Sequence, residues 1–316
     1  MIKKTKNNLI IINIIIVFFI NNILNAKSEF YIVTRVDNEI ITNIDVINEI
    51  NYLIALNNEL KNIDKKSLLN IAKNSLIKEK IKKNEIKKYF SSPDSEFSMM
   101  DQVIKNFYKK LNLNNKDEFE DYLASYNLGL NDVEKKIQIE VLWNQHIYRH
   151  YKNQLNINEE KLKKKVNENK SINNKITKYS LSEILFFVKN KNDFEKKNIE
   201  IRENIKNNGF KTSANIYSIA ETAKFGGKIG LINKKQLPEK IIKEINLIKP
   251  GEITNTMDVP NGYLILKLND ILIEEFEKDL KSELANLIRY ETDKQLNQFS
   301  IIHFNKLQLN SKIINE

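Results

Sequence analysis

The sequence predicts an α+β protein in which helix-rich stretches flank a smaller sheet-bearing module. Three observations carry this. Six of the seven glycines lie between Gly209 and Gly262, and three of the four prolines, Pro238, Pro250 and Pro260, lie there too. Turn chemistry is therefore concentrated in one segment. On both sides of it, apolar residues recur at three- and four-residue spacing, the period of an amphipathic helix. Within the module, a strand-like run, a charged helix and a hairpin dipeptide give an α/β sandwich with an antiparallel sheet.

The chain opens with Lys3, Lys4 and Lys6, followed by a run from Leu9 to Ile20 that is apolar except for Asn13, and by a more polar stretch ending at Ala26. This charged, apolar, small-residue order is that of a secretory signal over residues 1–26. The apolar run has 12 residues, whereas a spanning helix needs about 20. Leu24 is bulky for the third position before the cut, so an uncleaved membrane anchor stays open as the alternative. Either reading puts the remainder outside the cytoplasm.

A short strand follows at Tyr31 to Val36, then a turn at Asp37-Asn38. Thr42 caps a helix, with Asp45 three residues on. Further helices carry the stripes Leu68, Leu69, Ala72, Leu76, Ile77 and Ile81, then Phe97, Met100, Val103, Ile104, Phe107, Tyr108 and Leu111. A short helix holds Phe119, Tyr122 and Leu123, and a long one starts near Asp132. The polar stretch from Asn169 to Lys178 reads as a linker. The module then runs through a strand over Tyr179 to Val188, a helix over Phe194 to Lys206, the turn Gly226-Gly227, a short helix starting at Pro238, the turn Pro250-Gly251, and the hairpin Asn261-Gly262 with its returning strand Tyr263 to Leu268. From Glu274 a last stripe, Phe276, Leu280, Leu284, Leu287 and Ile288, must pack on the first helices or on another chain. The segment Ile301-Ile302-His303-Phe304 reads as a strand.

Composition removes whole classes of function. With 316 residues, 41% of them hydrophobic and 29% charged, the chain is globular. It has no cysteine, which excludes disulfides, thiolate metal sites, cysteine nucleophiles and a lipidated cysteine. The formal charge is +10, but only Arg35, Arg149, Arg202 and Arg289 among the 51 basic residues are arginine. Nucleic-acid recognition favours the arginine fork, so the lysines read as solvated surface and no nucleic-acid partner is expected. The three histidines are His146, His150 and His303. His146 and His150 have the four-residue spacing of a metal pair, but Ile147 stands where a zinc-protease helix has its glutamate. No metal and no cofactor are expected. The glycines from Gly226 to Gly230 lack the ending of a phosphate loop.

Two stretches carry a family resemblance. Ser182-Glu183-Ile184-Leu185, Gly226-Gly227-Lys228-Ile229-Gly230, Leu237-Pro238, Lys249-Pro250-Gly251-Glu252-Ile253 and Gly262-Tyr263-Leu264-Ile265-Leu266-Lys267 follow the order and spacing of a parvulin-type (PpiC-like) peptidyl-prolyl isomerase domain, which residues 175–272 resemble. Val36-Asp37-Asn38-Glu39-Ile40-Ile41-Thr42 with Asp45-Val46, and the helices after them, resemble the N-terminal part of SurA-like periplasmic chaperones over residues 27–170. The resemblance implies that the tail, residues 273–316, completes that helical domain. It also implies a periplasmic location and unfolded polypeptide clients, outer-membrane proteins among them. Contact with the membrane is expected only if the N-terminal segment stays uncleaved.

The same resemblance locates a site. An X–Pro bond turns over in tens of seconds unaided, and the family sets two histidines and an aspartate or cysteine beside an apolar proline pocket. The pocket positions match Ile229, Leu237 and Ile241, which would bind substrate or serve equally as core. The polar positions match Glu183, Ala220 and Leu264, so the usual hydrogen-bonded centre is absent and no catalytic residue is assigned. A chaperone with a weak or inactive isomerase domain is the expectation, and an active isomerase with an altered site is the alternative. Phe97, Phe107, Tyr108, Phe119, Tyr122, Tyr126, Trp143 and Tyr148 are candidates for a client-binding groove, most of them equally suited to a core.

Overall fold

A computed structural model describes residues 30–90, 100–168, 175–188, 190–275 and 280–316. The predicted export signal, Phe97, Phe276 and residues 169–174 of the expected linker lie outside the described residues.

The first hairpin pairs β1 (Ile32–Val36) with β2 (Glu39–Thr42). Asp37 makes the turn at φ 52°, a left-handed conformation that aspartate tolerates. Thr42 then starts α1 (Asn43–Leu56) with a capping box: its Oγ1 accepts from the Asp45 backbone N–H at 3.2 Å, and Asp45 Oδ2 accepts from the Thr42 N–H at 2.8 Å. Asp64 caps α2 (Lys65–Ile86) with a single bond, its Oδ1 accepting from the Ser67 backbone N–H at 2.9 Å. α3 (Met100–Lys110), α4 (Lys116–Ala124) and α5 (Leu130–Tyr151) follow. Their expected stripes interlock: Phe107, Tyr108, Phe119, Leu123, Val133 and Ile137 form one core with Tyr52 of α1. α6 (Glu159–Glu168) leads toward the module.

The module contains β3 (Lys175–Phe186), α7 (Phe194–Tyr217), a 3-10 turn at Glu221–Phe225, β4 (Lys228–Asn233), α8 (Glu239–Ile245), β5 (Met257–Val259) and β6 (Gly262–Glu275). Its four strands lie in the order β4-β3-β6-β5, all antiparallel. Side chains alternate across a strand, and here the alternation separates two cores. Leu181, Leu185, Leu264, Leu266 and Leu268 face one way with Leu237 and Ile245. Ile184, Phe186 and Ile265 face the other way, onto Ile201, Phe210 and Ala214 of α7.

The chain returns to its start. α9 (Leu280–Asn310) carries Phe304 and Leu307 onto the core of β1, α1 and α2, while Ile301 packs with the module's leucines. Trp143, fully buried in α5, donates its indole N–H to Ser300 Oγ at 2.8 Å. β7 (Ile313–Asn315) then pairs with β1 and completes a three-stranded sheet, β2-β1-β7.

Several boundaries differ from expectation. Residues 301–304 are helical rather than extended, because Ile301, Phe304 and Leu307 continue the three-residue period of α9 onto buried partners; the strand forms later, at Ile313–Asn315. The linker ends sooner, since Lys175–Lys178 already pair with Leu272–Glu275. This lengthens β6 through Glu274, where the sequence pattern places the last helix. The helix from Phe194 runs on to Tyr217 past a break at Gly209 (φ 82°, ψ 163°), a conformation open to glycine and strained for other residues.

Candidate functional site

The residues that match the family's polar centre share one face of the module sheet. Glu183 lies in β3 between Leu181 and Leu185, both of which face the leucine core. Leu264 is paired directly with Leu185. Ala220 is drawn to the same strand by its neighbours: the Ile219 N–H donates to Leu185 O at 2.7 Å, and Ser218 Oγ accepts from the N–H groups of Leu185 at 3.1 Å and Ala220 at 3.3 Å. Ala220 and Leu264 are buried in one apolar cluster. Glu183 is half-buried and accepts a hydrogen bond from Thr222 Oγ1 at 3.0 Å. Burial pushes its carboxyl above the usual range, and the Thr222 hydroxyl pulls the other way. An alanine and a leucine supply no side-chain donor or acceptor, so Glu183 and Thr222 are the polar side chains paired here.

The apolar wall divides. Leu237 is buried and Ile241 packs beside it, both against the cluster that holds Ala220 and Leu264. Ile229 stands apart on β4, 37% exposed, and lines a cleft of about 660 Å³ between the module and the first helices. Thr222, Phe225 and Gly230 line the module side of this cleft, and Val103, Leu111, Tyr122 and Val141 line the helical side. Phe225 packs edge-on to Phe107 with centroids 5.5 Å apart, and Lys110 Nζ lies 5.3 Å from its ring. Among the aromatic groove candidates, Phe107 and Tyr122 reach the cleft. Tyr108, Phe119 and Trp143 are core, and Tyr148 is exposed.

A second cleft, of about 510 Å³, separates α2 and α5 from the segment Ser218–Lys224. Charged groups fill it in a pattern with no local sequence signal. Lys82 Nζ lies 2.8 Å from Glu140 Oε2 and 2.7 Å from Glu221 Oε1. Lys224 Nζ is 3.5 Å from Glu140 Oε1. Lys136 pairs with Glu49 at 2.7 Å and with Glu79. Burial pushes Glu140 up, but Lys224 and Lys82 outweigh it and hold the carboxyl well below the usual range. The arrangement ties the module's 3-10 turn to the helical frame; it is positioned for assembly, with no nucleophile or open metal site among its groups.

Residues 183–270 match the rotamase family's PPIC-type PPIASE domain. The periplasmic chaperone PpiD of Buchnera aphidicola subsp. Schizaphis graminum is 38% identical over 76 residues, 23% of this chain and 12% of that one. The chaperone SurA of Pseudomonas putida is 26% identical over 161 residues, 49% of this chain and 38% of that one. The matches thus span well under half the length of either relative. Among solved structures, a report on PEB4 and Cj1289, described as SurA-like chaperones of Campylobacter jejuni, contains a chain 17% identical, covering 90% of this chain and 98% of that one with a TM-score of 0.37. PrsA, a peptidylprolyl isomerase of Bacillus anthracis, is 20% identical, covering 76% of this chain and 98% of that one with a TM-score of 0.31. This chain carries a PPIC-type rotamase domain, framed by helices and similar in sequence to the chaperones SurA and PpiD.

Proposed function

We propose that the protein is a periplasmic chaperone that holds unfolded polypeptide, outer-membrane proteins among its clients, and that its rotamase domain acts as a wall of the binding surface with little or no isomerase activity. The observation that carries this reading is the composition of the larger cleft. Helical aromatic and aliphatic side chains face Phe225 and Ile229 of the module across about 660 Å³, with Lys110, Lys211, Lys224 and Lys228 on the same cleft, a size and mixed lining suited to an extended segment that alternates apolar and polar side chains. At the positions where the family places its polar centre, this chain has Glu183, Ala220 and Leu264, which cannot rebuild a hydrogen-bonded array around a twisting amide. Strands of an outer-membrane barrel alternate apolar and polar residues and expose unpaired edges until they close, and a surface of this kind would cover them in transit. Among the described residues no helix is long and apolar enough to cross a membrane.

Two assays test the reading. In the first, the purified protein suppresses aggregation of a diluted, unfolded outer-membrane protein, and Ile229→Asp, on the exposed rim, weakens the suppression severalfold. No effect of the wild type at severalfold molar excess sinks the chaperone assignment; an Ile229→Asp variant as good as wild type removes the cleft as the client surface. In the second, a proline-peptide isomerisation assay, kcat/KM falls far below that of histidine-bearing parvulins. A comparable value establishes an active enzyme with an altered site instead.

A further inference from the structure

Three helices that are distant in sequence bring two imidazoles and a carboxylate to one buried point. Glu85 lies in the last turn of α2, His146 in α5 and His303 in α9. His303 Nε2 is 3.7 Å and His146 Nε2 is 3.9 Å from the same oxygen, Glu85 Oε1. One potential ligand atom from each residue lies within 4.8 Å of the other two. The side chains of His146 and Glu85 are 4% and 7% exposed, and that of His303 is 13%. Both Nε2 atoms are buried with no hydrogen-bond partner. Buried polar atoms are nearly always satisfied, and a pair left open toward one carboxylate oxygen calls for a missing partner.

We propose that Glu85, His146 and His303 form a binding site for a divalent d-block cation of the zinc class. Ligands at 2.0–2.1 Å around a tetrahedral ion stand about 3.3 Å from one another, so the two nitrogen–oxygen separations need to close by about half an ångström, and the nitrogen–nitrogen separation, which lies within 4.8 Å, by up to about 1.5 Å. Two imidazoles with one carboxylate suit zinc, cobalt or nickel and not calcium or magnesium. The surroundings orient the ligands. Tyr151 Oη lies 2.9 Å from His303 Nδ1; with the proton on Nδ1 donated to that oxygen, Nε2 presents its lone pair to the site. Lys88 Nζ holds the other carboxylate oxygen, Glu85 Oε2, at 2.7 Å, leaving Oε1 free to ligate. Burial pushes both imidazoles below their ordinary range, which favours the neutral, ligating form. A fourth position is left for water or for His150, whose exposed ring has its centroid 5.5 Å from that of His303. A bound ion would pin α9 to α2 and α5, closing the helical frame through two ligands, Glu85 and His303, that the His146–His150 spacing does not point to.

The single tryptophan supplies a built-in reporter, because the Trp143 ring centroid lies 5.6 Å from that of His303 and 6.0 Å from that of His146. Metal-stripped protein is titrated with cobalt(II), then with zinc(II). One cobalt per chain is expected, with strong quenching of Trp143 emission that zinc reverses, and zinc is expected to raise Tm. His303→Gln and His146→Gln, each checked for folding by far-UV circular dichroism, should weaken binding more than tenfold. The proposal is overturned if no saturable binding occurs below about 1 mM, if cobalt binds without quenching Trp143, or if the folded glutamine variants bind as tightly as wild type. If neither variant folds, the wild-type stoichiometry and quenching decide the matter alone.

Discussion

Replacing Lys82 by methionine tests how the rotamase domain is fastened to the helical frame. The Lys82 side chain is 5% exposed, with Glu140 (31%) and Glu221 (45%) as its two partners. Methionine keeps the unbranched stem and removes the charge. Removing one member of a fully buried pair costs about 3–5 kcal/mol, because the other charge is stranded. Two features of the site reduce that figure. Glu140 keeps Lys224 at 3.5 Å, and Glu221 can turn to water, where a pair is worth at most about 1 kcal/mol. The expected loss is about 2 kcal/mol, or a fall in Tm of about 3 °C for a chain of this size. Urea unfolding followed by Trp143 emission reads it, since the Lys82 ammonium lies 5.5 Å from that ring. Double-mutant cycles divide the loss: coupling of Lys82 to Glu140 should exceed its coupling to Glu221 by about 1 kcal/mol. A loss below about 0.5 kcal/mol, or a gain, would mean that desolvation of the ammonium outweighs both attractions.

Glu140 is held below its ordinary value of 4.5 in the folded chain; such a group adds stability above that value and loses it as pH falls toward the folded one. Acid unfolding of wild type should therefore steepen below about pH 4.5, and Glu140→Gln should flatten that limb of the stability curve; parallel curves would contradict the assignment. Glu183 shifts the opposite way, so the folded state is penalised once pH rises past the unfolded value. Glu183→Gln, which keeps an acceptor for Thr222, should raise Tm at pH 7 and lose that gain near pH 4, and a lower Tm at pH 7 would count against it. At Gly227, φ is +79° and an added Cβ would sit 2.3 Å from the Glu183 carbonyl oxygen and 3.0 Å from Ala214 Cβ. Gly227→Ala should cost about 2–4 kcal/mol in urea unfolding, and a variant within 0.5 kcal/mol of wild type would show that the turn can move aside.

The local signals in the sequence were strong where one element decides the outcome. The Thr42–Asp45 cap, the stripes of α2 to α5, the glycine turn before β4 and the Asn261-Gly262 hairpin all depend on neighbours a few residues away. Where a distant partner decides, the pattern misleads or is silent. Ile301 and Ile302 have strand-forming side chains, yet the helical period of α9 and the three cores it crosses prevail. Lys175–Lys178 read as linker because only the extension of β6 gives them a partner. The positions matched to the family site show the same limit. Ala220, Leu237, Ile241 and Leu264 share one cluster, whereas Ile229 reaches the cleft only because β4 lies at the sheet edge beside α3 and α5. The Lys82–Glu140–Glu221 group and the Glu85–His146–His303 group each join residues from separate thirds of the chain, and no spacing rule reaches that far.

The pairing of β7 with β1 has a consequence for how the molecule comes into being. Thr34 and Asn315, joined by a side-chain hydrogen bond at 3.2 Å, are 281 positions apart. During synthesis from the N-terminus, the β1–β2 hairpin emerges well before β7 and must wait with one border uncovered until that strand arrives. Its open edge is the sort of template on which nascent chains mispair. The rotamase domain, whose strands all lie within one continuous stretch, can mature in the interval. Assembly of the frame is thus timed by release of the tail, and appendages fused after Asn315 should slow the final docking more than any change within the module.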